Sequence, residues 1–425
     1  MFDGYDIVIF GVSIPWLFEE WNLTNVEVGA ISSYSLVGMM VGAFIFSILA
    51  DKLGKKNAII ICIITFSVFT LAAGLSPNPT FFTVMRFISA LGMGGIQPIL
   101  ISLMSEYSPK KNRAFTVAAM FCGYSLGGIL ASLIGMFLIP IADWRIIYFI
   151  GIVPLITLPF FIKYVPESLP YYIMKNNTKK IASILTRVEP NGNYLETDSY
   201  QFASKQKVSG GSTVKKLFEN KRTVSTLAIW VTVFSILLMV YGLNTWLPRI
   251  MQESGYGLTS SLSFNLVLCV GQVVGSLLGG YIADRIGYKK VLISLFAIGA
   301  VCFVSLILTS NLLLLYILIM IGGACTAGTM NLANPFITEF YPIEARATGM
   351  GWALGFGRIG AIIAPMLVAF ILTMGVAPQN AFLVFSVSSL IGIVALSLVK
   401  EKYGSFDRVS EEKAMIKDEP ADLKI

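Results

Sequence analysis

Twelve apolar runs of about twenty residues follow one another along the chain, separated by short polar connectors and a single long one. Each is long enough to cross roughly 30 Å of hydrocarbon as a helix. They cover 1–18, 28–50, 57–75, 80–104, 113–138 and 144–165, then 223–247, 260–283, 291–308, 312–338, 348–373 and 381–399. The pattern predicts an all-helical membrane protein with an N-terminal six-helix bundle at 1–165. A connector at 166–222, a C-terminal six-helix bundle at 223–400 and a charged tail at 401–425 complete it. Within the connector, "TKKIASILTRV" reads as a helix and the run ending "KVSGGSTVKKLF" as a flexible tether.

The two bundles repeat each other. "GMMVGAFIFSILADKLGKK" and "GQVVGSLLGGYIADRIGYKK" align Gly38, Gly42, Asp51 and Gly54 with Gly271, Gly275, Asp284 and Gly287, an offset of 233 positions. Without a gap, the same offset pairs Pro15 with Pro248, Glu106 with Glu339, Arg113 with Arg346 and Gly127 with Gly360. One register held over half the chain predicts two parallel, pseudo-symmetric bundles, the architecture of a rocking secondary transporter. The offset also sets Asp3 and Asp6 against Ile236 and Met239, near the middle of the seventh span. The first helix is therefore expected to lack about ten residues at its start, and both aspartates to lie near the bilayer midplane.

Charge adds orientation. All but four of the 31 Lys and Arg residues fall on alternate connectors, the long middle segment and the tail, which predicts that these and both termini are cytoplasmic. The exceptions are Arg86 and Arg358 inside spans and Arg145 and Arg249 on the other side. The net charge of +7 thus reports topology and lends nothing to a nucleic-acid reading. The five cysteines all lie within apolar runs, so neither a disulfide framework nor a metal-ligand spacing is present. With no histidine, any transported proton must ride on a carboxylate or a tyrosine. No phosphate-binding glycine loop occurs, and no cofactor is implied.

Ionisable residues at membrane depth are the candidate chemistry. Asp3 and Asp6, three apart on one helix face, are the expected proton carriers, because burial and a like-charged neighbour both favour protonating one of them. Arg86, read as lying in the cytoplasmic half of the fourth span with Gln97 three turns on, must pair with Asp3, Asp6 or an anionic ligand. Arg358, flanked by Gly355, Gly357 and Gly360, is set to receive a substrate carboxylate. Tyr34, Tyr124, Tyr241, Asn244, Gln272, Asn331, Asn334 and Trp352 are candidate cavity-lining residues, and all of these but Tyr34 and Trp352 are candidate substrate-binding residues. At the cytoplasmic face, Asp51, Lys55, Glu106, Arg113, Asp284, Arg285, Glu339 and Arg346 form charged girdles. There Asp51 and Asp284 are expected to cap neighbouring helices, and Arg113 and Arg346 to pair with acids across the halves as a gating latch.

The motifs "DGYD", "LADKLGKK", "RFISALGMGG", "EYSPKKNR", "VPESLPYY" and "YPIEARATGMGWALGFGRIGAIIAP" carry a resemblance to the major facilitator superfamily along nearly the whole chain. Within it the chain resembles the aromatic acid:H+ symporter family. The resemblance implies that Asp3 and Asp6 are required for proton-coupled uptake, and that Arg86, Arg346, Arg358, Asp51, Glu106 and Asp284 take part in activity. Two departures stand out: the family's N-terminal cytoplasmic segment is absent, and "GYSLGGILASLIG" lacks the proline of the antiporter signature, which speaks against efflux.

The sequence therefore predicts a monomeric, multi-pass symporter of a prokaryotic cell membrane. It is not an enzyme, binds no metal or nucleic acid, and imports an aromatic carboxylate of benzoate or hydroxybenzoate type with protons. Two alternatives stay open: symport of another organic anion, such as nicotinate or a small carboxylate, and a membrane sensor that binds such acids without transporting them.

Overall fold

In a bilayer the main chain has no water to bond with, so each apolar run must satisfy its own N–H and C=O groups, and a helix does so within one segment. The computed structural model has this form. It describes residues 1–108, 113–175, 177–188, 197–198, 200, 217–219, 221–341, 345–401 and 404, and among them every regular element is helical. The run expected to act as a tether, up to residue 216, and nearly all of the tail after Lys400 lie outside these residues, as does the side chain of Arg113.

The chain divides into two compact units, Met1–Lys207 and Val208–Ile425. The first holds α1 (Phe2–Trp21), α2 (Asn25–Leu53), α3 (Lys55–Gly74), α4 (Pro79–Tyr107) and α5 (Arg113–Leu138). Its sixth span is split into α6 (Arg145–Phe149) and α7 (Val153–Tyr164) by a 3-10 turn at Ile150–Ile152, and two short helices follow, α8 (Leu169–Met174) and α9 (Thr178–Val188). The second unit holds α10 (Thr223–Glu253), α11 (Leu258–Ile286), α12 (Tyr288–Leu308), α13 (Leu312–Phe340), α14 (Arg346–Thr373) and α15 (Phe382–Leu398). Ten of these segments are long and apolar enough to cross a membrane, and Gly123–Leu138 of α5 is a shorter apolar stretch. Large apolar side chains such as Phe44, Ile48, Leu278, Val301 and Val394 stay uncovered on the outer faces, where acyl chains replace protein as the packing partner.

The 233-residue repeat holds in three dimensions. In the first unit α2 packs most closely on α4 and α1 on α5; in the second, α11 on α13 and α10 on α14. Gly42 brings its Cα against the carbonyl of Leu91, where an added Cβ would stand 2.0 Å away, and its counterpart Gly275 meets Ala324 at 2.3 Å. Residues 91 and 324 are themselves one repeat apart. Helix starts are copied as well: Asn78 accepts from the Phe81 amide at 2.8 Å to cap α4, and Asn311 accepts from Leu314 at 3.1 Å to cap α13. The turns after α2 and α11 both depend on glycine, Gly54 at φ 94° and Gly287 at φ 93°, a region open to little else.

Burial separates the central helices from the peripheral ones. Two thirds of the most apolar stretch of α10 is buried, against 22% for the span formed by α6 and α7. In the first unit α1 takes the central place, buried almost without interruption from Gly4 to Pro15. A charge carried on α1 is therefore enclosed by protein.

Candidate functional site

The first unit encloses an ion pair. Asp6 on α1 has no solvent-exposed surface, and its Oδ2 accepts from Arg86 Nη1 on α4. Arg86 is 3% exposed, and its Nη2 lies 3.4 Å from the main-chain oxygen of Asp6. Thr70 of α3 donates to Asp6 Oδ1 at 3.2 Å and shares a second hydrogen bond with Ser89 at 2.7 Å. The guanidinium sits over the rings of Phe10 at 5.5 Å and Tyr148 at 5.9 Å, and the Tyr148 hydroxyl is held by Ser13 at 2.8 Å. Four helices thus converge on one ion pair. An opposite charge and hydrogen bonds to the ionised form offset the cost of burying it. Asp3, one turn earlier on α1, is partly buried. It shares the α1–α5 contact with Tyr124, whose main chain abuts Gly4.

One placement is corrected. Arg86 lies seven residues, about 10 Å, from the start of α4. The basic connector adjoins the other end of that helix, where Lys55 at the start of α3 meets Glu106. Arg86 therefore stands in the half away from the basic connector, opposite to the half expected. The direction of the fourth span decides this: α4 runs toward the basic loop, so its early residues are the remote ones.

In the second unit the polar residues are amides. Asn244 on α10 is fully buried and donates to the Val240 carbonyl at 2.7 Å, while its Oδ1 faces Gln272 Nε2 of α11 at 3.4 Å. Ser276, one turn on, donates to the Gln272 main-chain oxygen at 2.7 Å and accepts from Asn331 Nδ2 of α13 at 2.7 Å. Tyr241 is buried on the same stretch of α10, and Asn334 is half-buried one turn beyond Asn331. Gln272 and Asn331 are thereby joined in one file, which sequence spacing alone did not connect. Arg358 on α14 is partly buried and has no hydrogen-bonding or ionic partner among the described residues. Gly357 and Gly360 press α14 onto Val233 and Phe234 of α10, whereas Gly355 faces open space. Tyr34 and Trp352 are 57% and 49% exposed, and Trp352 stacks on Trp230.

The charged girdles resolve unit by unit. Lys55 bonds Glu106 and also Ser102 at 2.6 Å. Asp284 accepts from Tyr288, the repeat counterpart of Lys55, at 3.1 Å. Arg285 lies over the Tyr281 ring at 4.2 Å, Arg346 Nε donates to the Tyr341 carbonyl at 3.2 Å, and Glu339 is partly buried. Neither Asp51 nor Asp284 caps the following helix, contrary to expectation. Asp51 is exposed in the last turn of α2, and the cap of α3 comes from Glu167, whose Oε1 accepts from the Lys56 amide at 3.0 Å. Glu167 is 6% exposed, receives the Ser168 amide at 2.9 Å, and has its main-chain oxygen bonded by Tyr107 at 2.6 Å. Sequence reasoning passed over it; the proline-flanked acid in "VPESLPYY" was the available signal. A second missed cluster closes the other end of the unit. There Arg145 bonds Glu20 and Asp143 (3.0 Å), and the Trp144 indole donates to Glu20 at 2.6 Å.

A duplicated bundle of membrane-crossing helices that buries one ionic and one amide cluster at span depth is the build of a secondary transporter. The chain belongs to the major facilitator superfamily, whose model matches residues 1–273 and 266–421, and within it to the aromatic-acid transporters. It is 39% identical to the benzoate transport protein of Acinetobacter baylyi over 95% of this chain and 87% of that one. It is 30% identical to the 4-hydroxybenzoate transporter PcaK of Pseudomonas putida over 93% and 90%. Among solved structures, the xylose transporter XylE from E. coli in a partially occluded inward-open conformation superposes with a TM-score of 0.74 at 16% identity, covering 93% of each chain. That likeness establishes the fold.

Proposed function

We propose that this membrane transporter imports an aromatic carboxylate together with protons by alternating access, with both termini in the cytoplasm. The observation that carries the reading is the enclosed Asp6–Arg86 pair on the central helix of the first unit, one turn from a second carboxylate, Asp3. A buried carboxylate balanced by one guanidinium is a two-state element: taking up a proton removes the charge that holds Arg86, and releasing it restores the pair. In the second unit the partly buried Arg358 needs a counter-charge, and a planar carboxylate presents two oxygens to the guanidinium fork. The named substrates of the relatives, benzoate and 4-hydroxybenzoate, carry such a group. Tyr124, Tyr241, Asn244, Gln272, Asn331 and Asn334 line the route of the ring, and the girdle of Asp51, Lys55, Glu106, Arg113, Asp284, Arg285, Glu339 and Arg346 gates it.

The test is uptake of labelled benzoate into proteoliposomes with and without an inward pH gradient. Accumulation should follow the gradient and collapse when a protonophore is added. In Asp3→Asn and Asp6→Asn, uphill accumulation should be lost, and uphill uptake that survives both substitutions would sink the coupling role. A panel of nicotinate and short aliphatic acids as competitors separates an aromatic from a general organic-anion carrier.

A further inference from the structure

The amide file in the second unit has a direction, and its direction leaves one atom over. At one end the Val240 carbonyl can only accept, so Asn244 must turn its Nδ2 toward it. Asn244 Oδ1 then faces Gln272, which must answer with Nε2. The remaining atom, Gln272 Oε1, is buried without a hydrogen-bond partner among the described residues, in a side chain only 1% exposed. Ser276 cannot supply the missing proton, because its hydroxyl is spent on the Gln272 main-chain oxygen and its lone pair on Asn331. The orphan is thus an acceptor by construction, not by the chance of an amide flip. Left dry, such an acceptor carries the desolvation cost of an unmet hydrogen bond.

The fold does not require this file. One repeat earlier, the positions of Asn244, Gln272, Ser276 and Asn331 hold Gly11, Met39, Ala43 and Pro98, and the first unit makes the same helix contacts without a single amide there. What the duplicated scaffold builds from apolar residues in one unit, it builds from hydrogen-bonding residues in the other. A partly buried pair, Asn331 and Asn334, one turn apart on α13, stands at the rim of the file.

We infer that Gln272 Oε1 receives a hydrogen bond from a ring hydroxyl of the substrate, so that the transporter selects hydroxylated aromatic carboxylates over unsubstituted ones. A carboxylate has no donor to offer and would be repelled by a carbonyl oxygen, so the ligand's anionic end lies elsewhere and its neutral donor end comes here. A site built to pair with a hydroxyl discriminates against the analogue lacking it, because the buried acceptor is then left bare. The inference rests on the proposed transport of aromatic carboxylates and adds which of them.

The experiment is competition against labelled benzoate uptake by the intact protein, using 2-, 3- and 4-hydroxybenzoate and the matching methoxybenzoates, which keep the oxygen but lose the donor. One hydroxybenzoate should compete at about tenfold lower concentration than unlabelled benzoate and than its methoxy counterpart, the ratio that one satisfied buried acceptor yields. In Gln272→Met, which installs the residue the repeat carries at Met39, that ratio should fall toward one. Hydroxy and methoxy acids competing equally in the unmodified protein would overturn the inference without any variant, as would a ratio unchanged in Gln272→Met. In both cases benzoate uptake by the unmodified protein stands and only the selectivity claim fails. If neither benzoate nor any hydroxybenzoate is taken up under a pH gradient, the transport reading itself fails and takes this inference with it.

Discussion

Replacing Asp6 by Asn removes the charge against which Arg86 is buried. The substitution keeps the shape of the side chain, so Thr70 can still bond it, but the guanidinium, 3% exposed, is left facing one main-chain oxygen at 3.4 Å and two aromatic rings. Breaking a buried pair from one side costs about 3–5 kcal/mol. In a unit of some 200 residues each kcal/mol moves the unfolding midpoint by roughly 2–4 °C, so a fall of about 10 °C is expected. Cys62, fully buried in the same unit, provides the assay once the other four cysteines are replaced by Ala: a thiol-reactive fluorogenic dye then reaches it only on unfolding. Arg86→Met should fall by a similar amount, since it strands Asp6 instead. The double substitution Asp6→Asn with Arg86→Met removes both charges and should recover most of the loss while leaving uphill uptake abolished. Single substitutions that shift the midpoint by less than about 2 °C, or a double no more stable than the worse single, would refute the claim that the pair is a closed, mutually dependent unit.

The other predictions concern separate features. Arg358→Ala should raise the KM for benzoate about a hundredfold, the loss of a charge-assisted carboxylate contact of about 3 kcal/mol, with no large change in the unfolding midpoint, measured by initial-rate uptake. Gly42→Ala should cost about 1–3 kcal/mol, because a Cβ 2.0 Å from the Leu91 carbonyl forces α2 from α4, and thermal unfolding will show it. Glu167→Ala should destabilise by about 1–2 kcal/mol through loss of the α3 cap, and dye access to Cys62, on that helix, reports it. Tyr107, three residues past the apolar stretch Pro79–Met104, has its hydroxyl pushed up to about 12, chiefly by burial and then by Glu106 and Glu167. Its neutral form is the donor to Glu167, so its contribution is whole below the ordinary tyrosine range near 10 and is lost as pH rises through about 12. Wild type should therefore lose stability relative to Tyr107→Phe between pH 10 and 12 and not below, as read by alkaline unfolding.

Helices and their repeat were legible because each depends on local chemistry. Twenty apolar residues in a row leave the main chain no partner but itself, and the 233-residue offset paired Gly42 with Gly275 and Gly54 with Gly287. The carboxylates of α1 and the arginine of α4 stood out for the same reason, being charges in an apolar run. Partnership was beyond that reach. That Arg86 closes on Asp6, that Thr70 and Tyr148 complete the enclosure, and that Glu167 reaches back some 110 positions to cap α3 are matters of which helices pack side by side. The direction of the amide file, which makes Gln272 Oε1 an acceptor in want of a donor, depends on one carbonyl at Val240, four positions before the Asn244 that anchors to it. Hydrophobicity is a property of a segment and can be read along a line; satisfaction of a buried polar atom is a property of its neighbours, and only the folded arrangement supplies them.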